Sequence, residues 1–260
     1  MAGKEPGKET VTALNPYSEG EKTPQVEAMF NNIASTYDRL NALMTMGMHT
    51  VWRRKALRGL QQAVGADTSA PLLDVATGTG DVAADLRRLF PNAPITGIDI
   101  SDGMMSVARR KMERMGLKGI TFRHADCLAL PFEDNTFGAV TVAYGVRNFA
   151  NLQRGYSEML RVLKPGGRLC VIELCVPRNP LLRFGYRLYT RSLLPLIGRI
   201  ISRDSRAYSY LPQSVEACPQ RGAMTQLMTN AGFQKAACKV LPPNVIAIYT
   251  ASKPGSKPQA

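Results

Sequence analysis

Short apolar runs alternate with amphipathic segments of helical period between residues 71 and 176. The runs are rich in β-branched residues and predict the strands Leu72 to Ala76, Ile95 to Ile100, Ile120 to His124, Ala139 to Ala143 and Arg168 to Val176. Helical segments lie between most of them, and this alternation is typical of a parallel sheet covered by helices on both faces. The sequence therefore predicts an α/β fold with a doubly wound, mostly parallel sheet.

Further elements flank this unit on both sides. Pro24 to Arg58 is predicted to be helical, with the proline in the first turn. A last helix is expected over Gln220 to Ala231, before Gly232. Two β-rich runs, Lys235 to Val240 and Val245 to Ala251, are joined by a short Leu-Pro-Pro-Asn link, which predicts a C-terminal antiparallel hairpin.

A basic, amphipathic segment, Arg178 to Arg203, follows the fifth strand as a helical insertion. Arg183, Arg187 and Arg191 are spaced four apart, so on a helix they share one face, and long apolar side chains accompany them. Two interpretations are open at this point. The segment is either a solvated helical cap over the sheet or a lid that contacts acidic lipid headgroups.

Both ends of the chain are polar and lack an apolar core. Residues 1–23 have the pattern of neither a secretory signal nor a membrane anchor, and we expect a flexible N-terminal arm there. Residues 253–260 are expected to form a flexible tail. Between them, residues 24–252 are predicted to be a single domain that contains the helical insertion at residues 178–203.

The chain carries a formal net charge of +13 over 260 residues. This charge fits a polyanionic neighbour, either nucleic acid or an acidic membrane surface, or it serves solubility. Charges interrupt the apolar stretches well before the ~20 residues that a membrane-spanning helix needs. The five cysteines are odd in number and include no Cys-x-x-Cys pair, which argues against a disulfide framework. We expect a cytoplasmic protein, soluble or peripheral at the inner membrane face, with no metal site.

The most specific chemistry follows the first predicted strand. Residues 74–80 are Asp-Val-Ala-Thr-Gly-Thr-Gly, and a second acid, Asp99, ends the second strand. Glycines allow the backbone to approach a ligand closely. An acid at the end of the second strand is placed to accept hydrogen bonds from ribose hydroxyls. The two features together predict a bound nucleoside.

Two nucleoside ligands compete for this loop. A dinucleotide site needs Gly-x-Gly-x-x-Gly, so that a pyrophosphate can lie at the N-terminus of a helix. Here only Gly78 and Gly80 are present, and Asp74 would repel a pyrophosphate. S-adenosyl-L-methionine carries an ammonium and a sulfonium and no phosphate, so it suits the acidic loop better. We predict S-adenosyl-L-methionine as the cofactor, with its ammonium near Asp74 and its ribose at Asp99.

Ligands of open α/β sheets lie at the carboxyl ends of the strands, and this rule selects the remaining candidates. Asp126 ends the third strand, where it either accepts a hydrogen bond from the adenine or only caps a turn. Tyr144 and Glu173 are at the ends of the fourth and fifth strands. The predicted cofactor-binding residues are Asp74, Gly78, Thr79, Gly80, Asp99, Asp126 and Cys127.

Methyl transfer from a sulfonium requires a nucleophile that is held in line with the methyl group. If a carbon of a phenol ring attacks, the enzyme also needs a base for the hydroxyl proton or a cation that stabilises the phenolate. The candidates are Arg147 and Asn148 after the fourth strand, and Tyr37, Asp38 and His49 in the N-terminal segment. An arginine is a poor proton acceptor. Arg147 is therefore expected to stabilise the phenolate or orient a water, His49 has either a site role or a packing role, and the base stays unassigned.

At these residues the chain closely resembles the menaquinone/ubiquinone biosynthesis C-methyltransferase family. The resemblance covers about Val26 to Ala251, with Leu40, Thr45 and Cys175 in place of the usual methionine, serine and serine. Four stretches carry it: Tyr37 to Asn41 continuing through His49 and Trp52; Asp74 to Asp81; Ala143-Tyr144-Gly145-Val146-Arg147-Asn148-Phe149; and Arg161-Val162-Leu163-Lys164-Pro165-Gly166-Gly167 leading to Glu173.

This resemblance implies a Rossmann-like, S-adenosylmethionine-dependent methyltransferase that methylates a ring carbon of a polyprenylated quinol. It implies cofactor contacts at Thr79, Asp99, Asp126 and Cys127 and a catalytic role for Arg147. A further family contact, often serine, falls on Ala143, which has no hydroxyl group. Because the stretch at residues 144–149 is more similar to menaquinone-making members, the expected reaction is demethylmenaquinol to menaquinol. Methylation of a benzoquinol in the ubiquinone pathway is the alternative.

A polyprenylated substrate also predicts that the insertion makes transient contact with an anionic membrane surface. Two other classes of function compete. A nucleic-acid methyltransferase would suit the positive charge, but the arginines accompany aliphatic side chains more than base-stacking aromatics, so no nucleic-acid partner is expected. A catalytically inactive cofactor-binding scaffold would not need to keep Arg147, Asn148, Tyr37 and Asp38. A homo-oligomer stays open.

Overall fold

The computed structural model describes residues 22–193 and 205–255. The helices are α1 Lys22–Ile33, α2 Tyr37–Met44, α3 Met48–Val64, α4 Asp81–Leu89, α5 Asp102–Met115, α6 Leu152–Val162, α7 Pro180–Leu188, α8 Ser205–Ala217 and α9 Gly222–Asn230. The strands are β1 Leu72–Val75, β2 Ile95–Asp99, β3 Ile120–His124, β4 Phe137–Ala143, β5 Leu163–Leu174, β6 Gln234–Leu241 and β7 Ile246–Ser252. A 3-10 turn at Val146–Asn148 and a π-helical turn at Tyr189–Leu193 complete the order.

The strands form one seven-stranded sheet in the order β3-β2-β1-β4-β5-β7-β6. Strands β1 to β5 are parallel, and β7 lies antiparallel between β5 and β6. In the central register, Asp74 lies beside Gly97 on one side and Thr141 on the other. The predicted doubly wound, mostly parallel sheet and its C-terminal antiparallel hairpin are confirmed.

Apolar side chains cover both faces of the sheet. On one face, Leu57, Leu60 and Leu86 from α3 and α4 pack with Leu72 and Ile172. On the other face, residues of α6 and α9 pack against the strands: Tyr156, Met159, Met224 and Met228 contact the cluster of Leu73, Val140 and Val171. Full burial of such a side chain stabilises the fold by roughly 1.5–3 kcal/mol, so these two layers hold the strand ends in a fixed frame.

The N-terminal segment differs from the predicted helical stretch Pro24 to Arg58. The structure contains three helices there, and α1 begins at Lys22 instead of Pro24. A turn at Thr45–Gly47 separates α2 from α3, because Met46 and Gly47 have φ angles of 49° and 75°, which a helix does not accommodate. The break allows α2 to cross over the strand ends while α3 packs on the sheet.

The other boundaries differ by smaller amounts. Strand β5 begins at Leu163, before the Lys-Pro-Gly-Gly turn, because Leu163 pairs with Phe137. The predicted flexible tail also begins too early, since Lys253 donates its backbone N–H to the Gly167 carbonyl at 2.9 Å and its Nζ to Asn135 Oδ1 at 2.8 Å. The rest of that tail, most of the N-terminal arm and residues 194–203 of the insertion lie outside the described residues.

The described part of the insertion is helical, as predicted, and none of the residues of α7 is buried. Arg183 donates from Nε to the Pro177 carbonyl at 3.0 Å, and Arg187 lies 4.0 Å from a carboxylate oxygen of Glu216. Within residues 22–193 and 205–255, no helix is both long enough and apolar enough to cross a membrane.

Candidate active site

A cavity opens at the carboxyl ends of β1, β2 and β4, where the chain leaves the sheet toward opposite faces. This is the topological switch point of the sheet, the usual ligand position in open α/β folds. We call it the strand-end cavity. Six of the predicted cofactor-binding and catalytic residues line it: Tyr37, Gly78, Asp99, Asp126, Cys127 and Asn148. Its apolar walls include Ile100, Met104 and Phe149.

Asp99 has the geometry that ribose recognition requires. Its Oδ2 accepts the Gly78 N–H at 2.8 Å and its Oδ1 accepts the Ser101 N–H at 2.9 Å. Burial raises the pKa of this carboxyl, while the backbone N–H donors oppose the shift. An ionised carboxylate has about four acceptor sites, so Asp99 can accept from a ligand hydroxyl in addition to its backbone donors.

Asp74 is not at the cavity, and the predicted contact with the ligand ammonium is not supported. Its carboxylate is 1% exposed and accepts the hydroxyl protons of Thr77 at 2.6 Å and Thr141 at 2.8 Å. Burial raises the pKa of Asp74 to about 7. Because both oxygens point beneath the loop, Asp74 ties the turn after β1 to β4 and supports Gly78 from below.

Thr79, Gly80 and Asp38 are also directed away from the strand-end cavity. Thr79 Oγ1 donates to Asp38 Oδ1 at 2.6 Å, and Asp38 Oδ2 lies 2.6 Å from Lys111 Nζ. A Cβ at Gly80 would lie 2.9 Å from Ala108 Cβ, so this glycine permits close packing of α4 on α5. The sequence placed these residues at the ligand, but they join α2 to the N-terminal end of α4.

Asp126 and Cys127 are at the cavity, as predicted. Asp126 Oδ1 accepts the Leu128 N–H at 2.9 Å, so the carboxyl caps a turn, and both residues line the cavity beyond Asp99. Burial, followed by the neighbouring Asp126 charge, raises the pKa of the Cys127 thiol well above its usual value. Asp126 therefore caps the turn and also takes part in a side-chain hydrogen bond with Cys127, while its carboxylate lines the cavity.

A second, larger cavity of about 190 Å³ lies beside the first. We call it the aromatic cavity. Phe30, Tyr37 and Tyr144 line both cavities and so form the wall that they share. Its other lining side chains include Leu40, Met44, Thr45, His49, Trp52, Arg147, Leu174, Tyr186, Tyr189 and Tyr210. Its surface is mostly apolar with a few polar groups, which suits a ring with hydroxyl substituents.

Arg147 contributes the positive charge of the aromatic cavity. Its Nη1 forms an ion pair with Glu173 Oε1 at 3.0 Å and also donates to the Tyr144 carbonyl. The Arg147 and Glu173 side chains are 7% and 2% exposed, so this pair is desolvated. Arg147 Nε is buried and has no hydrogen-bond partner within the described part of the chain. A buried donor without a partner is costly, and it is satisfied if a ligand oxygen enters the cavity.

Tyr144 is held in an uncommon backbone conformation at the end of β4. Its φ is 57°, in the left-handed region that a bulky residue rarely adopts. The next residue, Gly145, has no room for a side chain, because a Cβ there would lie 2.7 Å from Ala76 Cβ. The Tyr144 hydroxyl is buried without a hydrogen-bond partner in the part of the chain that the structure describes. Burial raises the pKa of this hydroxyl, so it stays protonated and is a donor.

The remaining catalytic candidates reach one of the two cavities. Tyr37 lines both, His49 lines the aromatic cavity, and Asn148 lines the strand-end cavity, where its Oδ1 accepts the Tyr210 hydroxyl proton at 3.1 Å. Burial raises the pKa of Tyr37, and burial also lowers the pKa of His49. Of the five predicted catalytic residues, only Asp38 does not line either cavity.

Sequence reasoning missed several residues that build the site. Lys22 donates to the Arg147 and Phe149 carbonyls at 3.1 and 2.9 Å, and Asn31 Oδ1 accepts from Ser101 Oγ at 2.7 Å and Gly103 N at 2.9 Å. These bonds hold α1 over the strand ends. No local pattern marks them, because the partners are more than 60 residues away along the chain.

Comparison of the sequence with models of known protein families identifies the family of this protein. A model of the ubiE/COQ5 methyltransferase family matches residues 18–253. The chain belongs to this family. The predicted membership is therefore confirmed, and so is the predicted class of enzyme, an S-adenosylmethionine-dependent C-methyltransferase.

Curated relatives match over most of their length. The demethylmenaquinone methyltransferase of Porphyromonas gingivalis is 44% identical over 245 residues, which cover 92% of this chain and 98% of that protein. The Thermus thermophilus protein of the same name is 43% identical and covers 87% and 100%. The ubiquinone/menaquinone biosynthesis C-methyltransferase UbiE of Geobacter sulfurreducens is 41% identical and covers 90% of each chain.

Solved structures agree on the fold. An S-adenosylmethionine-dependent methyltransferase from Aquifex aeolicus has a TM-score of 0.56 at 17% identity, covering 75% of this chain and 88% of that one. Phosphoethanolamine N-methyltransferase 2 from Haemonchus contortus, in complex with S-adenosyl-L-methionine, has a TM-score of 0.57 at 16% identity, covering 77% and 52%. At these identities the likeness shows the methyltransferase fold alone.

The residues of the strand-end cavity fit the family's cofactor, S-adenosyl-L-methionine. The Asp99 carboxylate can accept hydrogen bonds from ribose hydroxyls, and a second carboxylate, Asp126, lines the same cavity. A Cβ at Gly78 would meet nothing within 4 Å, so the backbone is open toward the ligand at this point. Tyr37 and Tyr144, which belong to the shared wall, separate this cavity from the aromatic cavity.

Proposed function

We propose that this enzyme transfers the methyl group of S-adenosyl-L-methionine to a ring carbon of a polyprenylated quinol, demethylmenaquinol, and forms menaquinol. The observation that carries the proposal is the aromatic cavity beside the strand-end cavity. It contains two buried donors, Arg147 Nε and Tyr144 Oη, that have no hydrogen-bond partner among the described residues. Relatives that are 41–44% identical are named demethylmenaquinone methyltransferases, which supports the same substrate.

Some residues of the aromatic cavity position the quinol ring, and others stabilise the negative charge that develops on it. When bound, the cofactor supplies an electrophilic methyl group on a sulfonium. Arg147 and Tyr144 donate hydrogen bonds to the ring oxygen, where negative charge develops as its proton leaves, and such preorganised donors typically contribute 10²–10³-fold in rate. The apolar walls of the cavity, among them Leu40 and Trp52, orient the ring and exclude water. Glu173 keeps the guanidinium in place through its ion pair.

Exposed apolar side chains lie close in sequence to residues that line the aromatic cavity, and they support contact with a membrane. We call them the apolar rim: Leu43, Met46, Met48, Val51, Leu181, Leu182, Phe184 and Leu188, exposed by 38–89%. The part on α2 and α3 meets the part on α7, because the Tyr189 hydroxyl donates to the Met44 carbonyl at 2.8 Å. Residues 176–193 contain no acidic side chain and several arginines. The rim is suited to an anionic bilayer in which the prenyl tail stays embedded.

Replacing Phe184 and Leu188 together by serine is expected to weaken binding to anionic vesicles by at least about tenfold, because two apolar side chains no longer enter the lipid. Vesicle co-sedimentation with neutral and anionic lipids measures the effect. Met115→Ser is the matched control, since Met115 is 42% exposed at the end of α5, outside the rim. Equal binding of the wild-type protein to neutral and anionic vesicles would contradict the proposed surface.

Expression of the chain in a host that lacks its own quinol methyltransferase tests the proposed reaction. We expect mass spectrometry of the host's quinones to show menaquinone in place of demethylmenaquinone. Restoration of methylated ubiquinone alone would assign the enzyme to the benzoquinol alternative. Persistence of both unmethylated quinones, despite folded protein that binds S-adenosyl-L-methionine, would reject the proposal in favour of a different acceptor or an inactive scaffold.

A further inference from the structure

The hydrogen bonds around Thr45 determine where the proton of His49 lies. The Thr45 hydroxyl donates its only proton to the Asn41 carbonyl at 2.7 Å, so its oxygen acts toward other groups as an acceptor. His49 Nδ1 lies 2.7 Å from this oxygen. The contact is therefore a hydrogen bond in which Nδ1–H donates, and the neutral imidazole has its lone pair on Nε2.

The other titratable side chains that line the aromatic cavity in the described residues are one arginine and five tyrosines, which are poor proton acceptors at neutral pH. Arg147 is a guanidinium whose pKa is raised further, mainly by the Glu173 charge against the opposing effect of burial. Burial raises the pKa of the phenols Tyr37, Tyr144 and Tyr186, so these stay protonated. Glu173, which forms the ion pair with Arg147 at 3.0 Å, is not among the residues that line this cavity.

We propose that His49 is the general base of the reaction and that Thr45 is its positioning residue, a proposal that rests on the quinol methylation above. The O–H bond of the ring hydroxyl breaks, its electron pair stays on the oxygen, and the proton bonds to the lone pair of Nε2. The resulting phenolate makes the ring carbon nucleophilic. After methylation the ring loses the C–H proton to water and the oxygen recovers the proton from His49, so each turnover releases one proton.

The charges around His49 are consistent with a neutral imidazole at rest. Burial lowers its pKa below the ordinary value, and Arg53 on α3 lowers it further, while Asp81 on α4 and Asp38 on α2 oppose the shift. Both acids are themselves paired, Asp81 with Arg53 at 3.0 Å and Asp38 with Lys111 at 2.6 Å. The base form is thus present at pH 7 and is lost as the pH falls through a value below 6.5.

His49→Gln is expected to lower kcat by roughly 100-fold at pH 7, the usual contribution of a positioned base. The wild-type kcat should fall at low pH with a midpoint below pH 6.5, and this acid limb of the pH profile should be absent in His49→Gln. The defect should shrink as the pH rises toward 10, because the quinol hydroxyl then ionises without help. The dissociation constant for S-adenosyl-L-methionine should stay that of the wild type, since His49 does not line the strand-end cavity.

The pair Thr45→Val and Thr45→Ser separates the positioning role from packing. Valine keeps the shape and removes the acceptor, so the Nδ1–H tautomer should lose its preference and kcat should fall about tenfold. Serine keeps the hydroxyl and should retain both the tautomer and the acid limb. The tautomer is read directly from the ¹⁵N chemical shifts of the His49 ring in the protein without ligands, a measurement independent of activity.

Two results would overturn the inference. One is a His49→Gln enzyme that methylates demethylmenaquinol with wild-type kcat and an unchanged acid limb. The other is a ¹⁵N spectrum of the wild-type protein with the proton on Nε2. Absence of quinol methylation by the wild-type enzyme is a different outcome, which rejects the proposed function itself, and with it the base.

Discussion

Replacing Arg147 by methionine is expected to lower methyl transfer by roughly 10²–10³-fold, because the ring oxygen loses a buried cationic donor. The same change should lower the free energy of unfolding by about 3–5 kcal/mol, since the Glu173 carboxylate stays buried without its partner. Single-turnover methyl transfer and urea unfolding measure the two effects. They must be separated, because loss of fold alone would also abolish activity.

The double variant Arg147→Met with Glu173→Gln makes this separation. A neutral amide can still accept the Leu174 N–H, which the carboxylate accepts at 2.8 Å, and no uncompensated charge is buried. We expect most of the lost stability to return while methyl transfer stays low. Recovery of activity together with stability would show that Arg147 has a structural role only and would remove it from the proposed mechanism.

The parts of the site that were predictable from sequence are those that strand ends determine. The runs before Asp99 and Asp126 locate the ends of two parallel strands, and parallel strands deliver their carboxyl ends to one edge of a sheet. The structure accordingly places both carboxylates at the strand-end cavity. Gly78 follows from the same rule, because the turn after β1 must cross this edge.

The sequence did not predict the direction of side chains inside the loops. Asp74 and Thr79 belong to the same short stretch as Gly78, yet one points beneath the loop to Thr141 and the other toward α2. Spacing along the chain does not encode these directions, because the partners come from distant segments. Asp38 and Tyr37 were both catalytic candidates in the N-terminal segment, but adjacent residues of a helix face different sides, and of the two only Tyr37 lines the cavities.

The sequence pattern also did not predict that the two cavities lie side by side. It depends on the turn at Thr45–Gly47, which brings His49 to the aromatic cavity, and on the left-handed conformation of Tyr144. Both are local exceptions to regular structure that tertiary contacts impose. The sequence motifs could thus identify these residues without showing how they are arranged. The roles of Thr45 and Glu173 follow only from contacts in the folded structure.

Replacing Asp99 by alanine is expected to raise the dissociation constant for S-adenosyl-L-methionine by roughly 100-fold or more. The carboxylate is placed to accept ribose hydroxyls, and a hydrogen bond to a charged group contributes about 1.5–3 kcal/mol, so loss of two such bonds corresponds to at least two factors of ten. The Gly78 N–H also loses its acceptor at 2.8 Å, which loosens the loop on the ligand. Isothermal titration of the cofactor measures the change.

Asp102→Asn is the matched control, because Asp102 is an acid only three positions away whose side chain is 73% exposed and pairs with His124 instead of lining the cavity. It should bind the cofactor like the wild-type enzyme. Asp99→Asn should fall between the two, since one oxygen remains but an amide N–H then faces a backbone donor. If Asp99→Ala kept both its melting temperature and its affinity for the cofactor, the ribose would have to lie elsewhere. Asp126, the next carboxylate along the same cavity, would then be the acid to replace.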